Sequence, residues 1–147
     1  MKILIATLTI LMSLSAFANN IPFEDGEFAM YATSGKAETF YKVPNCPAGS
    51  VCGAATTLTL TFNAGGCLDR VVTFDKVTYD YGEQIFNVYV TALNIQNKDS
   101  LVANCFAMPM VTKDIVLGQG YIPNEKVLVH FIGTNVVMTP QAGPGLN

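Results

Sequence analysis

The chain contains no tryptophan and one histidine, and only 13% of its 147 residues are charged. Each scarcity removes a class of function. Without Trp, a flat stacking platform for sugars lacks its strongest residue. Histidine-based nucleophilic catalysis needs a Ser or Cys within reach of the ring and a third group to orient it. Beyond residue 18 the serines are Ser34, Ser50 and Ser100, each in a turn-like context. No G-x-S-x-G, H-E-x-x-H or phosphate-cradling glycine loop occurs. No catalytic residue or cofactor is therefore assigned, and the chain is read as a non-enzyme. His130, in VLVHFIG, reads as a hydrogen-bonded core or rim residue.

Basic residues are also few. No three lie close together, so neither nucleic acid nor anionic lipid has an electrostatic reason to bind. Past the N-terminus, no apolar run approaches the roughly 20 residues that a membrane helix needs.

The N-terminus MKILIATLTILMSLSAFANN is different. Lys2 precedes an apolar run from Ile3 to Leu14, and Ala16-Phe17-Ala18 places small residues where a signal peptidase cuts. Residues 1–18 are expected to be a secretory signal peptide, cleaved after Ala18, with the protein periplasmic or secreted. Cleavage removes Lys2 and leaves seven Lys or Arg against eleven Asp or Glu, a net charge of −4. Length then predicts one domain, 19–139. The end, PQAGPGLN, has two prolines, two glycines and no charge, and is expected to be a loose tail over 140–147.

Period-two patterning dominates that domain. In TTLTLTFN, Leu58, Leu60 and Phe62 point one way and Thr57, Thr59 and Thr61 the other, the signature of a half-wet strand. Residues 27–33 and 36–43 read as a hairpin turning at Ser34-Gly35. Further strand runs are 70–79, 85–95, 101–108 and 127–132, with shorter ones at 115–117 and 136–138. Two runs change phase: Val72 and Phe74 give way to Val77 and Tyr79, and Phe86, Val88 and Val90 to Leu93 and Ile95. A bulge is expected in each. No stretch carries a helical stripe. The pattern predicts an all-β, antiparallel β-sandwich of immunoglobulin-like or jelly-roll-like type, with a small β-barrel as the alternative.

Acidic residues gather twice, as Glu24, Asp25 and Glu27 around Gly26, and as Asp75, Asp80 and Glu83 near Gly82. Asp80 and Glu83 are the better candidates for a weak calcium site, although the spacing of a dedicated calcium loop is missing and solvated turns explain them as well. The sulfurs of Cys105, Met108 and Met110, joined by His130, suit cuprous copper by type, but core-filling methionines fit equally. Tyrosines 31, 41, 79, 81, 89 and 121 are numerous and suit contact surfaces or core edges.

Four cysteines in an exported chain are expected to be oxidised. Cys46 and Cys52 enclose five residues, too many for a redox C-x-x-C and for a usual zinc knuckle, and Cys67 and Cys105 offer no second knuckle. Pro47 and Gly49 help their segment turn back, so Cys46 is expected to pair with Cys52, and Cys67 with Cys105. Chain-entropy arithmetic gives about 2.3 kcal/mol for the short loop and about 3.9 kcal/mol for the long one. The expected function is that of an exported, disulfide-stabilised binding or structural protein whose partner is a protein or small ligand. A secreted protease inhibitor presenting the Cys46–Cys52 loop is the alternative.

Overall fold

A computed structural model describes residues 20–23, 27–43, 48–49, 53–63, 68–96 and 110–144. The proposed signal peptide, all four cysteines and the expected strand over 101–108 lie outside the described residues. The chain is all-β, with two mixed sheets, one of them curled into a half-barrel. Among the described residues the only helical element is a single 3-10 turn, Asn124–Lys126, and no helix is long and apolar enough to cross a membrane.

The strands are β1 (Asn20–Phe23), β2 (Glu27–Tyr31), β3 (Lys36–Lys42), β4 (Ala55–Asn63), β5 (Leu68–Asp80), β6 (Ile85–Gln96), β7 (Met110–Gln119), β8 (Val127–Phe131), β9 (Val137–Met138) and β10 (Gln141–Ala142). In the first sheet, β6 is the axis. Antiparallel β5 runs along one side of it. Its other side is shared end to end, by parallel β8 beside Phe86–Val90 and antiparallel β2 beside Leu93–Gln96. The second sheet has the order β10-β3-β4-β7.

Alternation builds the core from both. Leu58, Leu60 and Phe62 of β4 are fully buried and Thr59 and Thr61 stay partly exposed, as the sequence predicts, but Thr57, expected on the same wet face, is buried. Leu58, Leu60 and Phe62 pack in one cluster with Val88 and Val90 of β6 and with Val127, Val129 and Phe131 of β8. Burying each such side chain is worth roughly 1.5–3 kcal/mol, so this shared cluster is the main cohesive term.

The sheets are not purely antiparallel, as was expected. The pairs β6–β8 and β3–β10 are parallel. Between β6 and β8 the chain passes through β7 of the second sheet, so β8 joins β6 by a crossover and not by a hairpin, the connection a parallel pair needs.

Ser34-Gly35 is likewise not a hairpin turn. β2 pairs in the first sheet and β3 in the second, so this dipeptide is the corner between them. Gly35 N–H donates to the Thr61 carbonyl at 2.9 Å, and the buried Ser34 hydroxyl donates to the same carbonyl at 2.7 Å. These bonds weld the corner to β4.

The first expected bulge is present. Register shifts between Phe74 and Lys76, leaving Asp75 as the extra residue, so Val72, Phe74, Val77 and Tyr79 all face the side of Ala92, Val90, Val88 and Phe86. The second is not. Pairing runs unbroken from Leu93 to Gln96, and Leu93 and Ile95 lie on the opposite, partly buried face beside Val71 and Asp69. There the apolar residues change face without an extra residue, from Phe86, Val88, Val90 and Ala92 to Leu93 and Ile95, while Asn94 and Gln96 take the first face.

Where a loose tail was expected, β10 runs beside β3. Gly143 N–H donates to the Thr39 carbonyl at 2.8 Å, and Pro140 is fully buried. A side chain at Gly143 would meet the Phe40 ring at 2.3 Å, so only glycine lets the segment lie this close.

Candidate functional site

The two sheets meet at the end where β5 turns into β6, here called the hairpin end. β3 finishes there, because Lys42 faces the first residue of β4, Ala55. β7 finishes there too, with Gly120 bridged to Ala55. The chain then crosses from the second sheet to the first over residues 120–126. Lys126 Nζ reaches the hairpin turn and donates to the Glu83 carbonyl at 3.0 Å.

Topology thus brings Tyr41, Tyr79, Tyr81 and Tyr121 to one end. Their exposures are 43%, 38%, 86% and 54%, high for aromatic side chains. Tyr41 and Tyr121 meet edge-to-face at 5.9 Å between centroids. Tyr79 meets Tyr81 edge-to-face at 5.0 Å and leans on Phe86 at 4.6 Å. Such pairs fix ring orientation as well as adding about 0.5–1.5 kcal/mol each when buried, less when open to water.

Each tyrosine rests on a locally determined scaffold. Thr56, fully buried, donates its hydroxyl to the Gly120 carbonyl at 2.8 Å and accepts Ile122 N–H at 2.8 Å. Those bonds bracket Tyr121, and Gly120 has φ +85°, a conformation that favours glycine. At the hairpin, Asp80 Oδ1 accepts the N–H groups of Gly82 at 2.8 Å and Glu83 at 3.2 Å. Asp80 is therefore the cap that shapes the turn carrying Tyr81. Lys42 and Ala55, which are paired at this end, flank the part of the sequence that holds Cys46 and Cys52.

The other candidates fall elsewhere. His130 lies on the outer face of the first sheet, its Nε2 donating to Asn87 Oδ1 at 2.7 Å. The ring stacks on Tyr89 at 4.8 Å, and Lys76 Nζ sits 4.4 Å from the centre of the Tyr89 ring. Register explains the row, because Lys76, Tyr89 and His130 oppose one another on β5, β6 and β8. Ser34 is committed to the corner described above. Asp75 accepts the Thr91 hydroxyl at 2.7 Å, away from Asp80 and Glu83. Among the described residues, no three His, Cys, Asp or Glu side chains gather as a metal site. Met110 is 71% exposed on β7, not a core filler, while Cys105 and Met108 lie outside the described residues. At the end opposite the hairpin, Arg70 packs over Phe62 at 5.2 Å and donates through Nε to Asn94 Oδ1 at 2.7 Å. Burial lowers its pKa from the ordinary value by disfavouring the charged form.

The sequence supplied the tyrosines but not their gathering. Tyr41 and Tyr121 are distant along the chain, and only the β3–β4–β7 pairing joins them. No protein-family model, curated protein or solved structure matches the chain.

Proposed function

We propose that this is an exported, disulfide-stabilised β-sandwich that acts by binding or as a structural subunit, without catalysing a reaction. Its contact surface is the hairpin end. The observation that carries this reading is the convergence of four exposed tyrosines on one end from three separate parts of the chain, the end of β3, the β5–β6 hairpin and the crossover after β7. Tyrosine offers large contact area with few rotatable bonds and is enriched at interface centres. The sandwich reading draws support from the apolar cluster shared by both sheets. The non-catalytic reading draws support from His130, whose ring is occupied by Asn87 and Tyr89 on the outer face of the first sheet. The Cys46–Cys52 and Cys67–Cys105 pairings and a periplasmic or secreted location belong to the same proposal.

The test is co-purification from the envelope of the source cell. Wild-type protein is expected to retain a partner that the double variant Tyr81→Ala/Tyr121→Ala loses at unchanged melting temperature. A partner held equally by both proteins would remove the hairpin end from consideration.

A further inference from the structure

The hairpin end also carries a sign. Most carboxylates with described side chains are already engaged. Glu38 pairs with Lys36 at 2.8 Å, and Asp114 lies 3.8 Å from Lys42 and accepts the Thr59 hydroxyl. Asp75 takes the Thr91 hydroxyl and Asp80 caps its turn. Asp69 has a partner as well. Among the described residues, the carboxylates left without a hydrogen bond or ion pair are those of Glu83 and Glu125. Both flank Lys126, whose ammonium donates to the Glu83 carbonyl and forms an ion pair with neither carboxylate. Both therefore belong to the tyrosine end.

The rings point the same way. Elsewhere the chain sets its own cations over aromatic faces, Lys42 over Phe40, Arg70 over Phe62 and Lys76 over Tyr89. Tyr79, Tyr81 and Tyr121 have no such cation among the described residues, although Tyr81 is the most exposed large apolar side chain among them. A guanidinium or ammonium over a tyrosine face is attracted by the ring quadrupole, and more strongly as water is excluded. Unpaired carboxylates beside such a ring add Coulombic attraction of the same sign.

We infer that the occupant of the hairpin end is a basic protein segment, whose Arg or Lys side chains stack on Tyr81 and pair with Glu83 and Glu125. This rests on the binding function proposed above and names the chemistry of its partner. A neutral or acidic segment would leave both carboxylates desolvated and unpaired in the interface, which is costly.

A deca-arginine peptide serves as the probe, followed by calorimetric titration and by NMR amide shifts, at low salt and again at 0.3 M salt. Binding is expected with shifts confined to residues near Tyr81, Glu83, Tyr121 and Glu125, weakening as salt rises. Tyr81→Ala and Glu83→Gln/Glu125→Gln should each weaken it about fivefold or more. Asp69→Asn/Asp75→Asn, which removes the same charge from the start and middle of β5, away from the hairpin, should change it less than about twofold. Equal losses in the two charge pairs would show attraction to net charge alone and overturn the inference. So would shifts spread over the whole surface, or no binding. Failure here with the native partner still lost by Tyr81→Ala/Tyr121→Ala would leave the binding function standing. Retention of that partner would remove the function itself.

Discussion

Thr39 and Thr56 are both fully buried threonines on facing strands, yet replacing each with valine is expected to move stability in opposite directions. Valine has the shape of threonine, so packing and strand preference barely change and the hydroxyl alone is tested. The Thr39 hydroxyl finds no hydrogen-bond partner among the described residues. Burying an unpaired hydroxyl costs roughly 1–3 kcal/mol in protein mutational data. Thr39→Val should therefore stabilise the fold by about 1 kcal/mol. The Thr56 hydroxyl bonds Gly120 and Ile122 at once. Thr56→Val orphans the Ile122 N–H in a buried position and should cost about 2 kcal/mol, with the partly exposed Gly120 carbonyl reaching water instead. The expected gap between the variants is about 3 kcal/mol, well outside the error of urea unfolding with disulfides intact. NMR of Thr56→Val should also show Tyr121 losing its fixed orientation against Tyr41. Equal destabilisation by both substitutions would mean that the Thr39 hydroxyl is bonded, and would refute this account of the core.

Gly133, at φ +76° in the turn after β8, would place a side chain 2.3 Å from the Tyr31 ring. Gly133→Ala should destabilise by about 2–3 kcal/mol in thermal melts, from backbone strain and steric conflict together. Gly143→Ala should cost about 1–3 kcal/mol if the C-terminal segment is docked on Phe40, and nothing if it is free. Peptide mapping without reduction should recover Cys46–Cys52 and Cys67–Cys105 cross-links. A Cys52–Cys67 link or four free thiols would reject that pairing.

Much of the architecture was legible because period-two patterning is a local property. TTLTLTFN predicts its buried face, though not the burial of Thr57 on the other, and the shift from Phe74 to Val77 predicts the bulge at Asp75. What failed depended on partners distant in sequence. Ser34-Gly35 has hairpin-turn chemistry, but a dipeptide cannot state which sheet accepts the next strand. Leu93 and Ile95 look like a bulge because an unbroken strand whose apolar residues change face and a bulged strand produce the same pattern. The docked C-terminus was hidden because Pro140 and Gly143, residues typical of loose ends, are here buried, with Gly143 small enough to lie against Phe40. The same limit governs the site. Asp80 and Glu83 drew attention as calcium candidates, whereas the structure makes Asp80 a turn cap and leaves Glu83 without a carboxylate partner among the described residues.

The central claim, that this protein binds a partner through its hairpin end, is tested most directly by site-specific photo-crosslinking in the source cell. A benzophenone amino acid placed at Tyr81 or Tyr121 should give a discrete cross-linked species. The same probe at Thr73 on β5 or Val136 beyond β8, both exposed and far from that end, should give none. Cross-links from Thr73 or Val136, with Tyr81 and Tyr121 silent, would contradict the account.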